Sequence, residues 1–332
     1  MYKVVEYNDE YEKEWDSFVI GRAMNGTFLQ TRNFLNYHPK GRFQDGSLMI
    51  FHKNRLIAVI PGNINRHYEG KAELYAHQGS TFGGIIIKDD YYKAEKVLEI
   101  VDTLDAYCEK KYGKITLKVT ADLFSKKESD LLRYCLGYKG YTFYSELSTY
   151  IDLNAMPEDT LDAFDRNKVR NIKKCENAGL CFRELEEDGD ILQFYNLLKI
   201  NLSKYGITPI HTVDEILEFK KSRIPENVRF YGVFNGDVEM AGGMLFVFDN
   251  VNVIHAQNLS ADYRFNDYSP ITYLYYSIIQ KAKNEGFKAL SWGISTEERG
   301  SILNKGLIRN KESYASRYQM NYTYEKLFGE QT

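Results

Sequence analysis

The stretch from Val251 to Gly293 limits the fold more than any other part of the chain. Val251 to Gln257 has the apolar, β-branched character of a strand, and Asn258 to Ser269 is polar. Pro270 then opens a run in which Leu274, Ile278 and Ala282 recur at helical spacing. Proline suits a first helical turn, where its missing N–H would have had no partner. Gly286 supplies the stop, and Ala289 to Gly293 reads as a second strand. A strand, a helix and a strand in this order make a crossover in an α/β sheet. The N-terminus of the crossover helix presents outward N–H groups and a partial positive charge, which suits a phosphate or an acyl carrier. A ligand-free crossover has the same pattern, so both readings stand at this level.

The rest of the chain repeats an order of elements. In the first half, helical segments (Asp9 to Val19, Arg32 to Tyr37) precede two strands, Ser47 to Phe51 and Leu56 to Ile64, which turn at Lys53-Asn54. A glycine-rich loop, His77 to Gly84, leads to a short strand at Ile85 to Ile87. A long helix follows from Tyr91 to Lys111, its apolar face made by Ala94, Val97, Leu98, Val101, Leu104 and Cys108, then a strand from Ile115 to Val119. A further helix spans Lys126 to Leu136, and Thr142 to Leu153 is extended. In the second half, helices at Pro157 to Ala178, Ile191 to Tyr205 and Val213 to Ser222 precede strands Val228 to Phe234 and Val238 to Phe248. Asn235-Gly236 between them is a strong hairpin signal. The opening stretch follows. This shared order predicts two similar modules: 1–149, completed by residues of about 320–332, and 150–319.

At 332 residues, 43% hydrophobic and 27% charged, the chain is long enough for two cores. A net charge of −3 excludes a globally basic nucleic-acid binder, so any anion recognition is local. The N-terminus has no apolar signal region, and no run is long enough to span a membrane. Cys108, Cys135, Cys175 and Cys181 show no metal-ligand spacing and no disulfide density. A cytoplasmic protein with reduced thiols and no metal is therefore expected. Composition leaves the oligomeric state open.

Two features carry candidate chemistry. In the helix Pro157 to Ala178, Leu161, Phe164, Ile172 and Cys175 form an apolar side, and Arg166, Arg170, Lys173 and Lys174 a basic one. Glu158 and Asp159 lie in its expected first turn, and Gly179 ends it. The basic side is a solvated face or a stripe that binds phosphate, for which an Arg fork is well matched. In the strand after Val251, His255 and Gln257 share one face by strand alternation. His255 is a structural histidine or a general base that deprotonates an amine.

The segment Asn167 to Gly179 resembles the basic helix of the FemAB/FemX-like transferases, a branch of the GNAT acyltransferase superfamily. Further matches keep the family's order: Phe28-Leu29-Gln30-Thr31, Tyr263 followed by Ser269-Pro270 and Leu274, Gly286-Phe287 followed by Leu290-Ser291-Trp292-Gly293, and Gly306 to Lys311. The resemblance spans nearly the whole chain. It implies an α/β (mixed α+β) fold of two tandem GNAT-like domains, each a mostly antiparallel mixed sheet flanked by helices. It also implies an N-acyltransferase moving an acetyl or aminoacyl group onto an amine. The acceptor would be a phosphate-bearing precursor of cell wall (peptidoglycan) or polysaccharide. The donor would be a cosubstrate, acyl-CoA or aminoacyl-tRNA, with no tightly bound cofactor.

By position, Arg166, Arg170 and Lys173 would meet acceptor phosphate, and Tyr205, Tyr263 and Gln257 would line the groove. Ser269, Pro270, Trp292 and Gly293 would hold the donor. Lys311 would stabilise negative charge on the reacting carbonyl, with His255 as the possible base. The sequence departs from the family at Ser291 and Asn310, where Asp and Phe are usual. Tyr263 to Pro270 also contains no glycine to let backbone approach a pyrophosphate. Those departures keep open a second reading, a non-catalytic ligand-binding protein on a degenerate GNAT scaffold.

Overall fold

The computed structural model describes residues 1–39, 41–68, 71–204 and 206–329. The chain divides into two compact units. The first comprises Met1–Glu146, Glu298–Gly300 and Met320–Thr332, and the second Leu147–Glu297 and Ser301–Gln319.

The first unit begins with β1 (Tyr2–Glu6), α1 (Glu12–Gly21), α2 (Arg32–Leu35) and β2 (Gln44–Asp45). It continues with β3 (Leu48–His52), β4 (Arg55–Ile60), β5 (Asn63–Tyr68), β6 (Lys71–Ala76) and β7 (Ile86–Ile87). Then come α3 (Ala94–Lys111), β8 (Lys114–Lys118), α4 (Asp130–Tyr138) and the start of β9 (Thr142–Asp152). Strands β1, β3, β4 and β7 pair antiparallel, with the β3–β4 turn made by the left-handed residues Lys53 and Asn54. The expected strand Leu56 to Ile64 is two strands, because Pro61-Gly62 interrupts it. Strands β2, β5 and β6 pair antiparallel, and β6 pairs with β8 in parallel across the α3 crossover. Of the face that periodicity predicts for α3, Val97, Val101, Leu104 and Cys108 are buried, Leu98 is partly buried, and Ala94, at the first position of the helix, is exposed.

The second unit contains α5 (Arg166–Asn177), β10 (Cys181–Glu184), α6 (Asp188–Ser203), α7 (Val213–Glu218), β11 (Val228–Asn235) and β12 (Val238–Phe248). These are followed by β13 (Val253–Ala261), α8 (Pro270–Asn284), β14 (Ala289–Ile294), the short pair β15 (Thr296–Glu297) and β16 (Ile302–Leu303), and α9 (Lys305–Glu312). The last strand, β17 (Arg317–Leu327), reaches from this unit into residues of the first. Strands β10 to β13 are antiparallel in order, with Gly236 left-handed in the β11–β12 turn. β13 then pairs with β14 in parallel across α8, and β14 pairs antiparallel with β9. Leu274, Ile278 and Ala282 of α8 pack into a core with Ile254, Leu290, Ile172 and Cys175. Burying each of the large aliphatic chains contributes roughly 1.5–3 kcal/mol.

Each unit thus holds mostly antiparallel strands with one parallel pair bridged by a helix, the mixed α/β fold that the resemblance implies. The helix expected from Pro157 to Ala178 is shorter. Residues 160–163 make a separate 3-10 turn, Phe164 and Asp165 are extended, and α5 starts at Arg166. Asp159 caps the 3-10 turn instead of lying in the first turn of α5, which contains no acid. Strands β1, β2, β6, β10, β15, β16 and β17 have no counterpart in the sequence reading.

Candidate active site

The parallel pair β13–β14 is short. Its register runs Val253↔Ala289, Ile254↔Leu290 and His255↔Ser291, and the two strands then part. Each carries a bulge just past that point. On β13, Leu245 pairs with Ala256 and Met244 with Asn258, so Gln257 is an extra residue. On β14, Ser291 pairs with Tyr150 and Gly293 with Thr149, so Trp292 is an extra residue. A bulge bends its strand and re-aims a side chain. Here two bulges open a fork, and alternation no longer fixes the face of Gln257 relative to His255.

A cavity of about 200 Å³ fills the fork, lined by Gln257 and Leu259 from β13, Trp292 and Ile294 from β14, and Asn310 and Lys311 from α9, among others. Tyr275, Trp292 and Tyr314 form an aromatic wall, with ring centroids 5.0–6.4 Å apart. Trp292 is 8% exposed, and its indole Nε1 has no hydrogen-bond partner among the described residues.

Lys311 is buried beside this cavity. Its Nζ donates to Gly293 O (3.0 Å), Ile294 O (2.8 Å) and Ser295 Oγ (2.9 Å). The ammonium therefore fixes the outward end of β14, and burial pushes its pKa down to about 8. A second lysine stands behind the wall. Lys168 Nζ donates to Asn310 Oδ1 at 2.6 Å and lies 4.9 Å from the Tyr314 ring centroid. Asn310, one of the departures from the family pattern, thus joins α9 to α5.

His255 closes the apex of the fork, its Nδ1 3.0 Å from Ser291 Oγ. Burial, with the Lys311 charge adding to it, pulls its pKa down to about 4. The imidazole is neutral at pH 7 and a weak base. Gly293 has φ +71°, and a Cβ there would sit 3.3 Å from His255 Cε1.

The basic stripe lies on α5 as its spacing predicts. Arg166, Arg170 and Lys173 line a shallow groove of about 560 Å³ with Val169, Lys174 and Asn177. Arg166, Arg170 and Lys173 form no ion pair among the described residues. Neighbouring Lys174 donates to the Asp267 carbonyl, and Cys175 Sγ to the Tyr268 carbonyl at 2.8 Å. These contacts tie α5 to the loop that enters α8. At that entry Ser269 takes the left-handed conformation (φ 58°, ψ 48°) and Pro270 begins the helix. Arg264 folds onto Asp262 through its Nε and Nη2, so it is engaged within the loop rather than offered to a ligand. Tyr263 is exposed, with Lys204 Nζ 3.0 Å from its ring centroid. Tyr205 lies outside the described residues.

The first unit treats its own parallel pair differently. Gly83 N donates to Lys118 O at 2.8 Å, and Lys118 Nζ donates to the Ser80 carbonyl. A Cβ on Gly83 would lie 2.1 Å from Ala76 O. The glycine-rich loop is packed against the ends of β6 and β8, which is why its glycines are needed there.

One buried acid has no counterpart in the sequence reading. Glu239, on β12, is 6% exposed, and neither carboxylate oxygen has a partner among the described residues. Burial, with the Asp190 charge adding and Arg183 opposing, pushes its pKa up to about 8. The signal available in the sequence was an acid inside the apolar run Val238 to Leu245.

Among the described residues, no helix is long and apolar enough to cross a membrane, and no group of three or more metal-ligating side chains occurs. Cys108, Cys135 and Cys175 are buried free thiols, and Cys181 is exposed.

The forked strands β13 and β14 and the N-terminus of α8 lie within a segment that matches a known family. Residues 164–299 match the acetyltransferase (GNAT) domain family, and the chain is an acyltransferase. No curated protein sequence matches it. The whole fold is shared with solved structures at low identity. FemX aligns over 98% of this chain and 97% of its own, with a TM-score of 0.69 and 11% identity. The C-terminal domain of a putative lysylphosphatidylglycerol synthetase from Agrobacterium fabrum aligns over 96% and 92%, at 0.62 and 13%. A tandem GNAT protein from the clavulanic acid biosynthesis pathway aligns over 100% of both chains, at 0.55 and 9%. The chain thus shares its mixed α/β fold with a tandem GNAT protein.

Proposed function

We propose that the second unit transfers an acyl group from a phosphate-bearing carrier to an amine on a cell-wall or polysaccharide precursor. The observation that carries this reading is the fork itself: two strands parted by paired bulges, with a cavity between them. The carrier's phosphates would meet the α8 N-terminus at Ser269 and Pro270, where partial positive charge gathers. The acceptor's phosphate would lie on Arg166, Arg170 and Lys173, which form no ion pair among the described residues. Acyl-CoA is the donor favoured by the domain match, and aminoacyl-tRNA is the alternative.

In the proposed step, the neutral acceptor amine attacks the donor carbonyl. The new C–N bond forms, the bond to the carrier sulfur breaks, and the amine proton leaves to solvent or to the departing thiolate. Lys311 acts through its fixed charge, since its three hydrogen bonds already hold it beside the cavity. His255, with its depressed pKa, keeps the apex of the fork closed and does not take the proton. Fork residues Gln257, Trp292 and Gly293 border the acyl group.

The test is calorimetric titration of CoA, and separately of a nucleotide-sugar precursor, into wild-type protein and Arg170→Glu. Binding of both ligands, with only the precursor weakened by the substitution, supports the assignment. Equal precursor affinity in the two proteins refutes the acceptor role of the stripe. Failure of CoA to bind refutes acyl-CoA as donor.

A further inference from the structure

The loop between α6 and α7 is fixed at both ends. α6 closes on a left-handed glycine: Gly206, with φ +67°, donates its N–H to Ser203 O, and Ile207 donates to Leu202 O. At the other end His211 is buried, with its ring centroid 5.2 Å from that of Phe219. Its carbonyl accepts from the Tyr195 hydroxyl of α6, and Thr212 caps α7. The anchored loop nevertheless holds apolar side chains outward. Ile207 is 54% and Ile210 70% exposed, and Ile200, in the last turn of α6, is 58% exposed. A single exposed isoleucine is ordinary, whereas several gathered at one end of a helix mark a surface that meets something apolar.

The charges around these isoleucines have one sign. Lys199 and Lys204 are exposed and form no ion pair among the described residues. Lys204 Nζ lies 3.0 Å from the ring centroid of the exposed Tyr263. Asp262, beside Tyr263 in the sequence, is engaged by Arg264. From Ile191 to Val213 there is no aspartate or glutamate, although the chain has 46 of them. A purely anionic soluble partner would explain the lysines and leave the isoleucines in water. An apolar protein face would explain the isoleucines and not the acid-free, basic surround. The headgroup boundary of a bilayer with anionic lipid matches both. Aliphatic tips enter it to a depth of about 5–10 Å, while lysine stems lie along it with their ammonium groups on lipid phosphate, and tyrosine favours the same level.

We propose that the α6–α7 loop and the end of α6 dock the protein on a membrane surface that carries anionic lipid. Tyr263 begins the loop that enters α8, so the docked face borders the candidate site of the second unit. The docking itself does not depend on the acyl-transfer reading.

Sedimentation of the full chain with sucrose-loaded vesicles tests this, using phosphatidylcholine alone and a 70:30 mixture with phosphatidylglycerol, at pH 7 and 0.1 M salt. Binding is expected to the mixed vesicles at about 1 mM lipid, at least tenfold weaker to phosphatidylcholine alone. The double substitution Ile207→Ser with Ile210→Ser is expected to weaken binding about tenfold, by removing two half-inserted side chains. Lys199→Gln with Lys204→Gln is expected to weaken it about twentyfold, at roughly fivefold per lysine. All four residues are exposed, so thermal unfolding of the variants should match wild type. No binding to the mixed vesicles overturns the proposal. So does equal binding to both compositions, or binding that neither double substitution changes. A dimer in analytical ultracentrifugation that the isoleucine substitutions abolish, without vesicle binding, assigns the patch to a second copy of the chain and likewise overturns it.

Discussion

Glu239 gives the most direct quantitative test of the second unit's interior. Its carboxyl lies under α6, where the absence of a side chain at Gly242 makes room for it: a Cβ there would be 2.5 Å from Glu239 Oε1. Burial lifts its pKa from 4.5 to about 8. The native state therefore keeps a proton that the unfolded chain releases, and stability falls as pH rises from 4.5 toward 8, levelling off above. Linkage makes this penalty about 1 kcal/mol at pH 5 and about 4 kcal/mol at pH 8, at 1.36 kcal/mol per unit. Glu239→Gln preserves shape and stays neutral at every pH. Urea unfolding of both proteins at pH 5 and pH 8 isolates the effect, because all other groups cancel in the comparison. The variant's stability relative to wild type is expected to improve by about 3 kcal/mol between the two pH values. An offset that differs by less than about 0.5 kcal/mol between pH 5 and pH 8 would refute the burial argument.

Two further substitutions test the fork. Lys311→Met leaves two part-buried carbonyls and a buried serine hydroxyl without their donor, which costs about 2–4 kcal/mol in urea unfolding and lowers turnover by about a hundredfold. Unchanged turnover in folded variant protein would remove the electrostatic role. Gly293→Ala forces a side chain into a left-handed backbone (φ +71°) and against His255, costing about 1–2 kcal/mol in the same assay. A neutral result would mean that β14 relaxes without strain.

The parts of the fold legible in the sequence are those fixed by neighbours along the chain. Asn235-Gly236 predicts the β11–β12 hairpin because a tight turn needs a residue tolerant of positive φ, and Gly236 has φ +58°. Pro270 and Gly286 bound α8 for similarly local reasons, and Gly286 has φ +80°. β17 was invisible for the opposite reason. Its residues Thr323 to Leu327 pair with Lys118 to Lys114, some two hundred positions earlier, and nothing within the strand announces that partner. The break before α5 also escaped periodicity. Phe164 stays buried although it has left the helix, so the apolar pattern continues through a segment that is not helical.

The same division runs through the candidate site. The stripe Arg166, Arg170 and Lys173 was readable, because helical spacing alone puts these residues on one side. The fork was not, because a bulge is a property of two strands. Gln257 is an extra residue only relative to β12, and Trp292 only relative to β9. The missing glycine between Tyr263 and Pro270 shows the converse error of reading a local rule too strictly. A left-handed residue is needed at the entry to α8, and Ser269 supplies it at φ 58° and ψ 48°. A non-glycine residue pays roughly 1–2 kcal/mol for that conformation, and the loop recovers support from α5 through the bonds of Lys174 and Cys175 to its carbonyls. The basic helix therefore has two jobs. Arg166, Arg170 and Lys173 offer cations with no ion pair among the described residues, and Lys174 and Cys175 hold the turn that opens the crossover helix, so a substitution that loosens α5 should disturb the α8 entry even when every stripe residue is intact.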